Sequence, residues 1–196
     1  MGTDSLTARS GHGSSEILSG RSIIDDLGVT PLINAGGPNT KNSGSRPRPE
    51  AIAAMEAMSE VFVDMDELLL AAGERIAEIT GNEAATITSG ASGGLVVQAA
   101  VAMAKGDPDR IAQLPITSGM PSELIIQRGH RFIYDHLYLA PGSRFVEVGR
   151  PNDCTIDEIE AAITAETAGL IHLESPFKSH VAVPLTDLAE LAHNHG

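Results

Sequence analysis

From residue 65 onward, short aliphatic runs alternate with longer stretches of helical pattern, and this alternation limits the chain more than any other feature. "ELIIQ" (123–127), "RFVEV" (144–148) and "GLIHLES" (169–175) read as strands. "TIDEIEAAI" (155–163) and "PLTDLAELAHNHG" (184–196) read as helices, the first with Thr155 and Glu158 spaced for a capping box. Strand–helix–strand repetition of this kind predicts an α/β domain with a mostly parallel sheet flanked by helices. Upstream, "MDELLLAAGERIAEITG" predicts a helix with Leu69, Ala72, Ile76 and Ile79 on one stripe. Asp64 and Asp66 stand at its start and Gly81 at its C-cap. "AATIT" (84–88) predicts a strand, followed by a helix that is apolar nearly all round and so buried between layers. Nearer the N-terminus, "PLINAGG" (31–37) suggests a short strand entering a glycine-rich loop, and Pro47–Met58 a helix.

Composition removes several classes of function. A formal net charge of −13 argues against nucleic-acid binding, which needs clustered Lys and Arg. Twenty-residue apolar spans are lacking, so no membrane segment is expected. The opening "MGTDSLTARSGHGSSE" is polar and has no signal-peptide core. With Cys154 as the single cysteine, a cytoplasmic location is expected. Only three lysines occur, Lys41, Lys105 and Lys178.

The chemistry concentrates at "TSGASGG" (88–94), between the expected strand and the apolar helix. Three roles are open to it. Unsatisfied amides at a helix start, with the hydroxyls of Ser89 and Ser92, would cradle a phosphate. "GASGG" also fits G-x-S-x-G, with Ser92 as a hydrolase nucleophile and Asp153 or Asp157 with His172 or His180 as partners. Or the glycines only permit a tight turn. No metal site is expected, because His130 with His136 and His193 with His195 lack helical ligand spacing. Asp135 and His136 form a possible polar pair without an assigned role.

The run "VDMDELLLAAGERIAEITGNEAATITSGASGG", followed by "ELIIQRGHRFIYDHLYLAPGSRFVEVG", resembles a known family. It is similar to the fold type I pyridoxal-phosphate enzymes grouped with selenocysteine synthase (L-seryl-tRNA selenium transferase) and D-glucosaminate-6-phosphate ammonia-lyase. The resemblance covers about residues 28–196, departing at "PNTKN" in the glycine-rich segment. It implies the N-terminal part of an aminotransferase-like large domain. It implies that Ser89, Gly90, Ala91 and Ser92 hold the phosphate of pyridoxal 5'-phosphate. It further implies that His130 packs on the pyridine ring and that Ser175 lies at the cofactor. Asn34, Arg46 and Glu174 are then placed toward substrate, Arg46 through its bidentate fork.

In such enzymes the carboxylate for the pyridine nitrogen and the Schiff-base lysine come after the part that this chain resembles. The resemblance therefore implies a half-enzyme: no catalytic residue of its own, and a second chain carrying the C-terminal half, with further dimerisation. The expected organisation is a flexible leader (1–20), an N-terminal arm with the glycine-rich segment (21–65), and the first part of the cofactor-binding large domain (66–196), its continuation lying outside this chain. The expected activity is that of a lyase or transferase acting on an amino acid or amino sugar acid. A serine hydrolase using Ser92 and a non-catalytic regulatory subunit of the same fold are the alternatives. Alone, the chain is expected to be poorly soluble or to self-associate, because a sheet edge and apolar helix faces would lie open.

Overall fold

The computed structural model describes residues 20–175 and 183–196. The expected leader up to residue 19, Lys178 and His180 lie outside the described residues, and Gly20, its last residue, begins a helix. The chain divides into two compact units, Met1–Val63 and Asp64–Gly196. Within the first, helix α1 spans Gly20–Asp26 and helix α2 spans Pro49–Ser59, beginning with proline at a position where its lost N–H costs nothing. Between them a 3₁₀ turn, Thr40–Asn42, is capped by the Asn39 side chain and closed by a bridge between Asn39 and Gly44. Residues 31–37 form no strand, and none of residues 23–63 is buried. A strand here would have needed a ladder partner, and these residues have none among those described.

The second unit begins with α3 (Met65–Thr80). As its sequence suggested, Asp64 accepts from the amides of Asp66 and Glu67, and Gly81 closes it in a left-handed conformation. Then come α4 (Ala91–Ala104), α5 (Pro108–Gln113), β1 (Glu123–Gln127), β2 (Arg144–Val148), α6 (Ile156–Glu160), β3 (Thr167–Ile171) and α7 (Leu185–His195). The Thr155–Glu158 capping box is formed. The sheet is parallel, in the order β2–β1–β3. The expected α/β architecture with helices flanking a parallel sheet is therefore present.

β1 occupies the centre and its alternation divides the core. Leu124 and Ile126 join Ala99, Tyr138 and Ile171 on the α4 side. Ile125 joins Val148, Ile159, Leu188 and Leu191 on the side of α6 and α7. Burial on both faces is why this strand reads as a continuous apolar run. Gln127 ends it with its amide inside the protein, Oε1 accepting from the Val183 N–H at 2.8 Å just ahead of α7.

Three expectations change. Residues 84–88 form no strand, because no other strand among the described residues pairs with them. The buried side of α3 is the small face, Gly73 and Ala77, while Leu69, Ile76 and Ile79 lie exposed. Likewise α4 buries Ala99, Met103 and Ala104 but leaves Val97 and Val101 in the open. Apolar pattern reports what could be covered, not what is.

The small face of α3 meets the backbone of the segment that follows it. A Cβ on Gly73 would lie 2.3 Å from the Ala85 carbonyl oxygen. Gly73→Ala is therefore expected to lose about 1–3 kcal/mol through overpacking, read as a lower thermal midpoint. An unchanged midpoint would show that α3 does not rest on residue 85.

Candidate functional site

The N-cap of α4 is Gly90, whose φ of 122° and ψ of 174° suit glycine alone. No side chain caps this end, and a Cβ on Gly90 would meet nothing within 4 Å. The amides of the first turn therefore open onto free space, with Ser89, Ala91 and Ser92 exposed around them. Gly93 keeps the turn tight, since a Cβ there would stand 2.9 Å from Ser89 Oγ. Thr88 ties the approach by donating from Oγ1 to the Gly90 carbonyl at 3.0 Å.

The direction of α4 decides what this turn faces. Near its C-terminal end, Lys105 shares a cleft with Thr164 and Thr167, at the start of β3. Midway, a Cβ on Gly169 would lie 3.6 Å from that of Ala102. Toward its N-terminal half, Gln98 lines a second cleft with Ile171 and His172. α4 thus runs antiparallel to β3, and its open N-terminus points to the carboxyl end of the strands. Ligands of open α/β sheets gather at that end.

His130 and His172 stand at the same end. His130 follows β1 in a 3₁₀ turn and is fully buried. Its Nδ1 accepts the Leu173 N–H at 3.2 Å, so the proton of the neutral ring sits on Nε2. The ring of His172 meets it edge-on, with centroids 4.6 Å apart and planes at 90°. His172 Nε2 donates to Glu174 Oε2 at 3.3 Å, leaving its Nδ1 buried without a partner among the described residues. β3 ends at Ile171, so Glu174 and Ser175 lie beyond the strand that the sequence extended through them. Glu174 is exposed and Ser175 half-buried. His172 is absent from the residues singled out for a cofactor. The alternation in "IHLE", which puts positions 172 and 174 on one face, was the available signal.

Below the histidines an ion-pair network fixes the turn after β1. Asp135 is buried and accepts from Arg131 through both oxygens and from the Phe132 N–H at 3.0 Å. Arg131 also reaches Glu147, which is paired with Arg128 at 3.4 Å, and it lies 4.8 Å from the Phe145 ring centroid. Asp135 is thus the partner of Arg131, while His136 bonds the Ile133 carbonyl at 3.1 Å. Tyr138 donates to Gln98 Oε1 at 3.1 Å and joins this turn to α4.

Other candidates fall elsewhere. Asn34 and Arg46 belong to the N-terminal unit and both are exposed; Asn34 closes its own turn, accepting from Gly36 and donating to Gly37. No hydrogen bond joins Ser92 to a histidine or carboxylate among the described residues, Asp153 bonding Arg150 at 3.5 Å instead. Burial, with Glu158 and Asp153 beside it, pushes the Cys154 thiol up, away from thiolate chemistry. The described residues hold no cluster of three or more metal-ligating groups, and no helix long and apolar enough to cross a membrane.

No protein-family model matches the chain. Two characterised proteins do. A 5'-C-glycyluridine monooxygenase-decarboxylase of Streptomyces is 34% identical over 179 residues, spanning 87% of this chain and 44% of that protein. A D-glucosaminate-6-phosphate ammonia lyase of Salmonella typhimurium is 36% identical over 157 residues, spanning 78% of this chain and 42% of that protein. The solved structure of a D-glucosaminate-6-phosphate ammonia-lyase superimposes with a TM-score of 0.83 at 33% identity, covering 88% of this chain and 48% of its own. The resemblance to the ammonia-lyase group thus holds, and the chain spans about half the length of the relatives it matches.

Burial pushes the Asp135 carboxyl up, but the hydrogen bonds from Arg131 and Phe132 outweigh it and hold the group below the usual carboxylate range. A carboxyl lowered by folding contributes stability above its unfolded pKa and loses it as pH falls through the folded value. Asp135→Asn is expected to cost about 1–3 kcal/mol at neutral pH. It should also flatten the loss of stability on acidification, measured by denaturant melts across pH. An acid limb unchanged in the variant would contradict the assignment.

Proposed function

We propose that this chain, homologous to part of D-glucosaminate-6-phosphate ammonia lyase, is the phosphate-binding half of a pyridoxal-phosphate-dependent lyase or transferase acting on an amino acid or amino sugar acid. The observation that carries this reading is the uncapped N-terminus of α4, aimed at the carboxyl end of the sheet with two serines around it. A phosphate dianion suits that arrangement, because the first-turn amides are unsatisfied donors and the helix dipole favours negative charge. The residues present fit the group: the space over Gly90 is open, and hydroxyls rather than carboxylates surround it.

In this reading the amides of Ala91 and Ser92 and the hydroxyls of Ser89 and Ser92 hold the phosphate and so fix one end of the cofactor. His130, fully buried against His172, supports the ring end from within the protein, and Ser175 closes the cofactor side. Glu174, Asn34 and Arg46 serve substrate, Arg46 through its guanidinium fork. Bound pyridoxal phosphate supplies an electron sink that acidifies the Cα–H of an amino substrate. This chain's part is to bind and orient. The Schiff-base lysine and the carboxylate at the pyridine nitrogen come from the polypeptide matching the rest of the relatives' length, in a hetero-oligomer working in the cytoplasm, with the isolated chain inactive.

The test is spectroscopic. The chain combined with that polypeptide and pyridoxal phosphate should show a visible absorbance band that borohydride reduction removes. Gly90→Ala, which forces a side chain into a conformation costing about 1–3 kcal/mol, should weaken cofactor binding roughly 5- to 150-fold. A complex that stays colourless, or equal affinity in the variant, would defeat the reading.

A further inference from the structure

Three consecutive residues at the end of β3 act on one buried ring. Leu173 donates its N–H to His130 Nδ1 at 3.2 Å, the His172 ring stands perpendicular to His130, and Glu174 accepts from His172 Nε2 at 3.3 Å. The ladder of β1 on β3 closes with Ile126 opposite Ile171, which brings the turn after one strand against the end of the other. Alternation along the extended chain puts positions 172 and 174 on one face, so Glu174 can reach back to His172.

The hydrogen bond from Leu173 is a weak hold by itself. A histidine ring turns about its last side-chain torsion between two broad wells, and the turn exchanges Nδ1 with a carbon. One neutral hydrogen bond favours the bonded orientation by a factor of only about 2–13. The His172 ring supplies a second restraint. Its centroid lies 4.6 Å from that of His130, at the close end of the range of about 4.5–7 Å for such pairs. At that separation a turn of His130 drives its edge into His172, which must yield. His172 is not free to do so: its side chain is only 10% exposed, and Glu174, 73% exposed, ties it from the solvent side.

We propose that His172 is a positioning residue for His130, with Glu174 as its tether. Together they keep the His130 ring in one orientation and one neutral tautomer, with the proton on Nε2. The inference deepens the function proposed above, in which His130 supports the ring end of the cofactor. It rests on that reading for what the clamp serves, but not for the clamp itself. A support that flipped would offer a nitrogen in one orientation and a carbon in the other, and a site that orients a ligand needs its supporting rotamers locked.

The test is ¹⁵N solid-state NMR on the full chain labelled at its seven histidines, a method indifferent to self-association, with signals assigned by single His→Gln variants. His130 is expected in one form, protonated on Nε2 and not on Nδ1. His172→Ala should raise the share of a second His130 form about 2- to 13-fold. His172→Phe, which keeps a ring edge, should restore the single form. Glu174→Leu should act in the same direction as His172→Ala, whereas Glu174→Gln, which still accepts a hydrogen bond, should not. Two His130 forms in the unmodified chain would overturn the inference, as would no recovery in His172→Phe. So would a lower thermal midpoint in His172→Ala with the His130 signals unchanged, since that marks a merely structural role. If His172→Ala does not fold, Glu174→Leu decides, because that side chain stands in solvent. Pyridoxal-phosphate affinity separates the clamp from the cofactor reading. Affinity that falls in His130→Gln, while the His130 form ignores His172, defeats only the clamp. A clamp seen by NMR, with affinity unchanged in His130→Gln, defeats only the cofactor role of His130.

Discussion

β1 is held by backbone ladders on both edges and by apolar layers on both faces, and the placement of the candidate site in the C-terminal unit follows from that. Leu124 and Ile126 face α4 while Ile125 faces α6 and α7. A slip of one residue would exchange the two faces, so the register is strongly determined. With Ile126 opposite both Glu147 of β2 and Ile171 of β3, the strands finish together. Gln127, His130, His172 and Glu174 then emerge along one edge, although they are far apart in sequence.

α4 brings the second half of the site. Its antiparallel course over β3 turns the helix dipole so that the positive end faces this edge. Small residues permit the approach: Gly169 and Ala102 leave room for helix against strand, and Gly93 lets Ser89 fold back over the first turn. The Tyr138–Gln98 bond then locks α4 to the turn after β1. The turn itself is fixed by Arg131 between Asp135 and Glu147. The loop at Ser89–Ser92 and the buried His130 are therefore referred to one rigid frame, as a site that orients a ligand requires.

Features that depend on a few neighbouring residues were legible in the sequence. The caps at Asp64, Gly81 and Thr155 are formed as their spacing indicated, and β1 and β2 have the limits of their aliphatic runs. The general architecture followed from their alternation. What could not be read was anything needing a distant partner. "AATIT" has the composition of a strand, yet a strand exists only when another lies beside it. The stripe Leu69–Ile76–Ile79 has the period of a buried face, yet burial needs a covering layer, and Gly73 and Ala77 were the residues that found one. The end of β3 was read too late for the same reason: "HLES" continues the alternation, but the ladder on β1 stops at Ile171. At the site, hydroxyls and glycines before an apolar helix were visible, whereas the meeting of His172 with His130 depended on the pairing of β1 with β3.

Charge then determines what this edge must receive from elsewhere. A phosphate held at α4 would be met by partial charges on amides and by hydroxyls; of the arginines after β1, Arg128 is engaged with Glu147, and Arg131 with Glu147 and Asp135. Lys105 stands at the opposite end of α4, donating to the Gly196 carbonyl at 3.1 Å. The 14 residues of that helix separate it from Ser89–Ser92 by about 21 Å at 1.5 Å per residue. A lysine side chain does not cross that distance, so Lys105 cannot be the amine that meets a cofactor whose phosphate is seated at the head of the helix. Lys41 belongs to the N-terminal unit, where it serves the 3₁₀ turn by donating its backbone amide to Asn39. Local amides and hydroxyls at the head of α4, against the formal net charge of −13, are what would seat an anion there.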